Sequence, residues 1–443
     1  MRVSPTRLPN GPRASGCFST IVRKPPVPAA TIGPVNPPSF RATVTALAAG
    51  QLLCWAALYY GFSSFVLPMQ HAMGWSKPEM MGAFTLGLAV WGAATYAAGA
   101  AIDHGRGRAV MTLGAALAGL GFLAWSRAES LPGLYGAWVL LGAAMAMTLY
   151  EPAFNVLTKR FPAQYREGIT TLTLVGGFAS TLSFPAIAAL LAWLDWRSAL
   201  AVIGAVLLVL VAPLHAWALK GTPTQDTQHA ARDAADDATL HEALRERAFW
   251  LLTATFTLYS FAVASLWAHI MPAFAAKGLP EATALSVVVW FGPAQVAGRF
   301  AFLAFGRWIT VRVLGMIVLA GMPAALAIFA LADSTVALVL FALLFGLANG
   351  LVTIVRGNLV PEYFGRSHVG RISGTMSAIA LLSRAAAPLL TAWLLLALPG
   401  YRELLLGLAG LGALAVLAFA LARPPARQAT STAPDSGGSV SAS

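Results

Sequence analysis

The sequence predicts an all-α membrane protein: twelve transmembrane helices in two pseudo-symmetric six-helix bundles. Three observations carry this. Of 443 residues, 58% are hydrophobic and only 10% charged, whereas a soluble protein carries about 25% charged residues. The apolar residues fall into twelve segments of about 20 residues, the length that crosses a hydrocarbon core of ~30 Å at 1.5 Å rise per residue. A polar stretch, Lys220 to Arg247, separates the sixth segment from the seventh.

In order, the expected spans are 43–69, 79–102, 109–126, 132–157, 168–193, 198–219, 248–274, 282–304, 312–332, 335–358, 370–396 and 402–422. Residues 1–40, rich in Pro, Arg and Ser, hold no apolar run and so no secretory signal peptide. They are expected to form a disordered tail, as are residues 424–443. The division is therefore an N-terminal bundle over 41–219, a linker over 220–247 and a C-terminal bundle over 248–423. Within the linker, Gly221-Thr-Pro-Thr-Gln-Asp reads as connector, and Thr239 to Arg247 as a short amphipathic helix on the membrane surface. Cys17 and Cys54 suggest neither a disulfide framework nor a metal site, and Cys54 reads as a small apolar core residue.

The net charge of +12 could suggest nucleic acid. Its distribution argues instead for topology. With the N-terminus inside, the inner loops carry most of the cations, from Arg106 and Arg108 to Arg366 and Arg371, while the outer loops hold Lys77, Arg127, Arg197, Lys277 and Arg402. By the positive-inside rule both termini are cytoplasmic, in an inner (plasma) membrane of bacterial type. The partners expected are the lipid bilayer and a small molecule, with no nucleic acid and no cofactor. No HExxH, nucleophile elbow or phosphate loop points to an enzyme.

Between the second and third spans runs Gly99-Ala-Ala-Ile-Asp103-His-Gly105-Arg106-Gly-Arg108, a charged, glycine-rich hairpin loop. Gly105 and Gly107 let the backbone reverse, and Gly99 lets two helices approach. This loop resembles the signature between the second and third helices of the major facilitator superfamily, with His104 where arginine is usual. The two halves also echo each other: Leu157 to Pro162 followed by Gly168 is similar to Leu359 to Phe364 followed by Gly370. The resemblance implies the major facilitator fold, every third helix peripheral and the others around a central cavity. It also implies that the Gly99–Arg108 loop gates the inner face, Asp103 meeting cations or a helix end across the interface between the halves.

Polarity sorts the helices in the same way. The third, sixth, ninth and twelfth are nearly featureless, whereas Tyr59, Tyr60, Glu151, Asn155, His269, Gln295, Arg299, Asn349, Arg356 and Arg384 lie in the others. A charge at mid-bilayer costs at least ~2.5 kcal/mol on insertion scales and so needs a reason. Arg384 is the deepest and reads as a substrate ligand; a pair with Glu151, or a cap on backbone carbonyls across the bundle, is the competing reading. Arg299, with Gln295 at i−4 on its face, is the second candidate; a gate or anchor near the inner surface is the competing reading. Arg356 is close enough to the inner end to reach water. Glu151, with Asn155 at i+4, either carries a coupling proton or neutralises an arginine. His269 is read as a titrating group or a hydrogen-bonded structural one. Tyr59, Tyr60 and Asn349 are candidates for hydrogen bonds to substrate. Cations outnumber carboxylates inside the bundle, so the cavity favours an anion, and guanidinium binds carboxylate in a bidentate fashion.

Tyr59-Tyr-Gly-Phe-Ser-Ser-Phe, Gly74-Trp-Ser and Gly292-Pro-Ala-Gln-Val-Ala-Gly-Arg299 resemble the monocarboxylate porter and oxalate:formate antiporter branch of the superfamily. That branch uses an eighth-helix arginine, which Arg299 matches, and its antiporters add an eleventh-helix cation, a place Arg384 fills. Gln295 stands where monocarboxylate porters often have aspartate, which weakens the case for a coupling proton. The alternative is a proton-driven exporter of drugs or metabolites. Two features speak against it: the uncharged stretch Leu134–Leu149, and the lack of a G-P-x-x-G-G motif in the fifth helix.

Overall fold

The computed structural model describes residues 38–221, 237–332 and 334–424. Of the expected tails only residues 38–40 and 424 are described, and residues 222–236 of the linker, Arg232 among them, lie outside the described residues. Among those residues the secondary structure is helical throughout, with no strand.

Among the described residues eleven helices are long and apolar enough to cross a membrane, and one of them contains two of the expected spans. Pro78–Ser126 runs for 49 residues, which as a straight helix would reach about 73 Å, far beyond a ~30 Å core. It does not stay straight. His104 leaves the helical region (φ −83°, ψ 18°) and Gly105 takes φ 78°, a conformation open to glycine because it has no Cβ. The chain reverses there, giving twelve crossings. We number them α1 (residues 40–73), α2 (Lys77–Ala101), α3 (Gly107–Ser126), α4 (Leu131–Arg160), α5 (Tyr165–Trp193), α6 (Trp196–Ala218), α7 (Arg247–Ala276), α8 (Ala282–Phe305), α9 (Val311–Leu331), α10 (Thr335–Phe364), α11 (Val369–Ala397) and α12 (Tyr401–Leu421).

Local chemistry explains where many of these start. Ser39, Ser76, Ser130, Asp195, Thr310 and Ser334 each accept a first-turn N–H, at the N-caps of α1, α2, α4, α6, α9 and α10. They satisfy donors that a helix leaves free at its start. The linker ends in the short helix Leu240–Arg245, where Thr239 and Glu242 form a capping box.

The apolar core divides with the chain. One buried cluster draws only on residues from Ala243 to Ala422. Two others draw on residues from Val44 to Leu219, joined only by Leu381 from the second half. Cys54 is buried in the first-half core as a free thiol. The halves meet where glycines allow backbones to touch. A Cβ on Gly99 of α2 would lie 2.1 Å from the Gly370 carbonyl oxygen of α11, and one on Gly374 would lie 3.0 Å from that of Thr95. The Gly370–Gly374 pair therefore packs α11 on α2 inside one molecule.

Candidate functional site

Two of the helices that meet at the centre are irregular there. In α1 the turn Ala56–Tyr60 is a π-helix, a local widening that re-aims side chains and recurs at functional sites. In α4 the chain breaks at Leu149 (φ −74°, ψ −160°), so that a second helical segment starts at Tyr150. Pro152 accounts for the break: it has no N–H to give the carbonyl four residues back, and its ring crowds that carbonyl.

Below these irregularities lies a cavity of about 120 Å³, room for roughly ten water-sized positions. Trp55, Trp91, Tyr150 and Phe154 form an aromatic wall from the first half; Arg356, Ser373, Ser377 and Arg384 face them from the second. The Tyr150 ring stacks on Phe154 and packs against Trp55, with centroids 5.3 and 4.9 Å apart.

The charges in this cavity are distributed unevenly. Arg356 Nη2 donates to Glu151 Oε1 at 2.6 Å, joining α10 to α4 across the halves, and also to the Ser377 hydroxyl. Ser373 donates to Asn155 Oδ1 at 3.2 Å, a second bridge one turn away. Arg384 has no carboxylate within ion-pair reach among the described residues. Its Nη2 donates to the Tyr59 hydroxyl at 2.5 Å, and its guanidinium carbon lies 5.4 Å from the centroid of the same ring. One cation is therefore neutralised inside the cavity and the other is held by a neutral phenol, its charge left over. Tyr60 packs edge-on against Tyr59, with centroids 5.2 Å apart.

Glu151, Asn155 and Arg384 thus line the cavity and Tyr59 joins it through Arg384, whereas Tyr60, Arg299, Gln295, Asn349 and His269 lie outside the lining. Arg299 is 5% exposed; its Nε donates to the Gly350 carbonyl at 3.0 Å and its Nη1 has no partner. The head group sits against Gly177 of α5, where any Cβ would meet Nη1 at 1.5 Å. That makes Arg299 a contact between the halves rather than a wall of the cavity. Gln295 packs its backbone on Gly350 of α10, and Asn349 is half-buried beside it. His269 is remote from Glu151: its Nε2 lies 3.4 Å from the Pro388 carbonyl oxygen, and its ring 6.0 Å from that of Tyr401. It forms no charge pair with Glu151 and Asn155.

Arg356 was undervalued in the sequence because it can reach the membrane surface. A usable signal was present: Glu151 lies nine residues before the end of α4 and Arg356 eight before the end of α10. Equal depth in equivalent helices is what lets the two meet. Ser373 and Ser377 carried no signal of their own.

The cavity is closed on the side of the Gly99–Arg108 loop. Asp103, whose side chain is 3% exposed, accepts the Gly370 N–H at 2.9 Å and the Arg371 N–H at 2.8 Å, at the start of α11. A carboxylate there meets free backbone donors and the positive end of the helix dipole. Lys159 lies 3.2 Å from Asp103 Oδ1 and donates to the Ser367 carbonyl at 2.7 Å. His104 Nδ1 lies 2.7 Å from the Ala100 carbonyl oxygen, so Nδ1 carries the proton and Nε2 accepts from Arg371 Nη2 at 3.0 Å. Arg166 pairs with Glu362 at 3.1 Å. Arg108 instead stays within its own half, on the Ala216 carbonyl of α6, and Arg106 is exposed. Further along α11, Ala387 and Thr391 stay buried while Leu389, Leu390, Trp393 and Leu396 are exposed.

The Major Facilitator Superfamily model matches residues 47–322 and 303–442. Monocarboxylate transporter 13 of Rattus norvegicus is 31% identical over 278 residues, covering 59% of this chain and 60% of that one. An uncharacterized 38 kDa protein in the 23S RNA operon of Thermoproteus tenax is 34% identical over 172 residues, covering 38% and 44%. The chain thus spans three fifths or less of these curated relatives. Among solved structures, the human organic anion transporter TETRAN superposes with a TM-score of 0.66 at 17% identity, over 86% of this chain and all of that one. The E. coli fucose:proton symporter gives 0.65 at 13%, over 87% and 99%. At such identities the likeness is one of fold. The twelve crossings, the reversing loop on the start of α11 and the family match together place this chain in the major facilitator superfamily.

Proposed function

We propose that the protein is a secondary active transporter for a small organic anion, a carboxylate being the simplest case, and that it works by alternating access around the central cavity. Arg384 carries this reading. It is a guanidinium that lines the cavity with no anionic partner among the described residues and a phenol hydroxyl as its hydrogen-bond acceptor. A carboxylate entering there gains a charge-assisted, bidentate contact and displaces only a neutral acceptor. The names of two relatives, a monocarboxylate transporter and an organic anion transporter, agree with that chemistry. The closed side is the side expected to be cytoplasmic, and the Gly99–Arg108 loop is its latch, with the two six-helix halves rocking around a midplane site.

The test is the thermal stability of the purified protein against mono- and dicarboxylates, aromatic acids, sugars and cationic drugs, at two pH values. A ligand of the folded state raises the apparent stability by mass action. The expected result is a shift with one family of carboxylates that disappears in Arg384→Ala. A shift confined to cationic or bulky neutral compounds, retained in Arg384→Ala, overturns the proposal in favour of export of drugs or metabolites.

A further inference from the structure

One buried polar side chain beside the cavity has no part in the transport reading so far. Gln51 of α1 is fully buried, and its Nε2 donates to the Thr148 carbonyl at 2.6 Å and lies 3.4 Å from that of Leu149. In an unbroken α4 the Thr148 carbonyl would take the N–H of residue 152. Residue 152 is proline, which has none. The Leu149 carbonyl keeps only a long bond, 3.4 Å, from the Ala153 N–H. Gln51 therefore supplies, from a neighbouring helix, the donor that the break in α4 removes. An unsatisfied carbonyl at this depth has no water to turn to. Gln51 is itself served on one side only, its Oε1 having no partner. That asymmetry fits a side chain held in place by its amide donor.

The break so secured lies immediately before Tyr150 and Glu151. Its dihedrals set the direction of the segment that carries Glu151 to Arg356 and Asn155 to Ser373. We propose that Gln51 is a positioning residue: by holding the Thr148 carbonyl it fixes the α4 break, and through it aims Glu151 at Arg356. It touches neither member of that ion pair. The proposal deepens the cavity assignment above but is tested without any substrate, so failure of one is distinguishable from failure of the other.

The experiment is a pair of double-mutant cycles on the full-length protein in detergent, read as shifts in Tm. The first combines Gln51→Met, similar in size but without donors, with Arg356→Met. Sites that do not touch normally give additive shifts. Here the double variant is expected to lose clearly less than the sum, because Gln51→Met has already loosened the pair that Arg356→Met removes. The second cycle combines Gln51→Met with Pro152→Ala, which gives residue 152 an N–H for Thr148. In that background Gln51→Met is expected to lower Tm much less than it does in the parent. Additive shifts in the first cycle, or an undiminished effect of Gln51→Met in the Pro152→Ala background, overturn the proposal. If Gln51→Met does not fold by itself, its combination with Pro152→Ala supplies the answer: recovery of folded protein supports the proposal, and continued failure refutes it.

Discussion

Asp103→Asn is the sharpest probe of the closed side. The carboxylate accepts two backbone N–H groups at the start of α11 in a position that is 3% exposed. Asparagine keeps one acceptor oxygen and turns a second donor, its NH₂, towards the other N–H. One hydrogen bond to a charged group is therefore lost outright, and the other becomes a neutral one; such bonds contribute about 1.5–3 kcal/mol each. Lys159, only 21% exposed, loses its counter-charge as well and adds to this, whereas the exposed Arg166–Glu362 pair contributes little. The closed state should then lose about 2–4 kcal/mol relative to the open one, roughly a 30- to 700-fold change in their ratio at 1.4 kcal/mol per decade. The assay is labelling of Thr353→Cys, which lines the cavity, by an impermeant maleimide added on the loop side, with Cys17 and Cys54 replaced. Labelling should speed up markedly in Asp103→Asn, and transport should slow, with folded protein little reduced. Equal labelling rates in folded parent and variant would refute the latch.

Four further outcomes follow from the same contacts. Tyr59→Phe keeps the ring over Arg384 but removes the hydroxyl that a carboxylate must displace; ligand affinity in the thermal-shift assay should rise by a factor of about 5, against complete loss in Arg384→Ala. Glu151→Gln leaves Arg356 half-buried without its counter-charge and should destabilise by about 2–4 kcal/mol, most of it recovered in Glu151→Gln with Arg356→Gln, by chemical denaturation. Gly99→Ala forces a methyl against the Gly370 carbonyl and should raise Thr353→Cys labelling in the same direction as Asp103→Asn. The Asp195 carboxyl, outside the spans, is held below its usual range by the Ser198 side chain and by the Ser198 and Arg197 N–H groups. Its cap should stabilise α6 above the ordinary carboxylate range and be lost as pH falls through its lowered value; a Tm gap between parent and Asp195→Ala that grew on acidification would contradict this.

Much of this protein was legible in one dimension because a bilayer is an unforgiving solvent. Every apolar run must be long enough to cross, and every backbone group must be paired within it, so spans, the short helix after Thr239 and the reversal at Gly105 could be read from composition and spacing alone. Asp103 likewise stood out locally, as a lone carboxylate in a glycine-rich turn. What one dimension could not supply is pairing. Glu151 had several arginines to choose from. Arg384, the deepest, went to Tyr59, because the π-turn at Ala56–Tyr60 and the break at Leu149 determine which side chains face one another. Arg299 reads from the sequence either as a ligand or as an anchor, and its head group packs between the halves because Gly177, more than a hundred residues away in sequence, leaves room for it. The sequence by itself determined how the chain crosses the membrane, since that depends on each segment alone. Only the tertiary structure decided which buried charges are neutralised and which are not, since that depends on distances between segments.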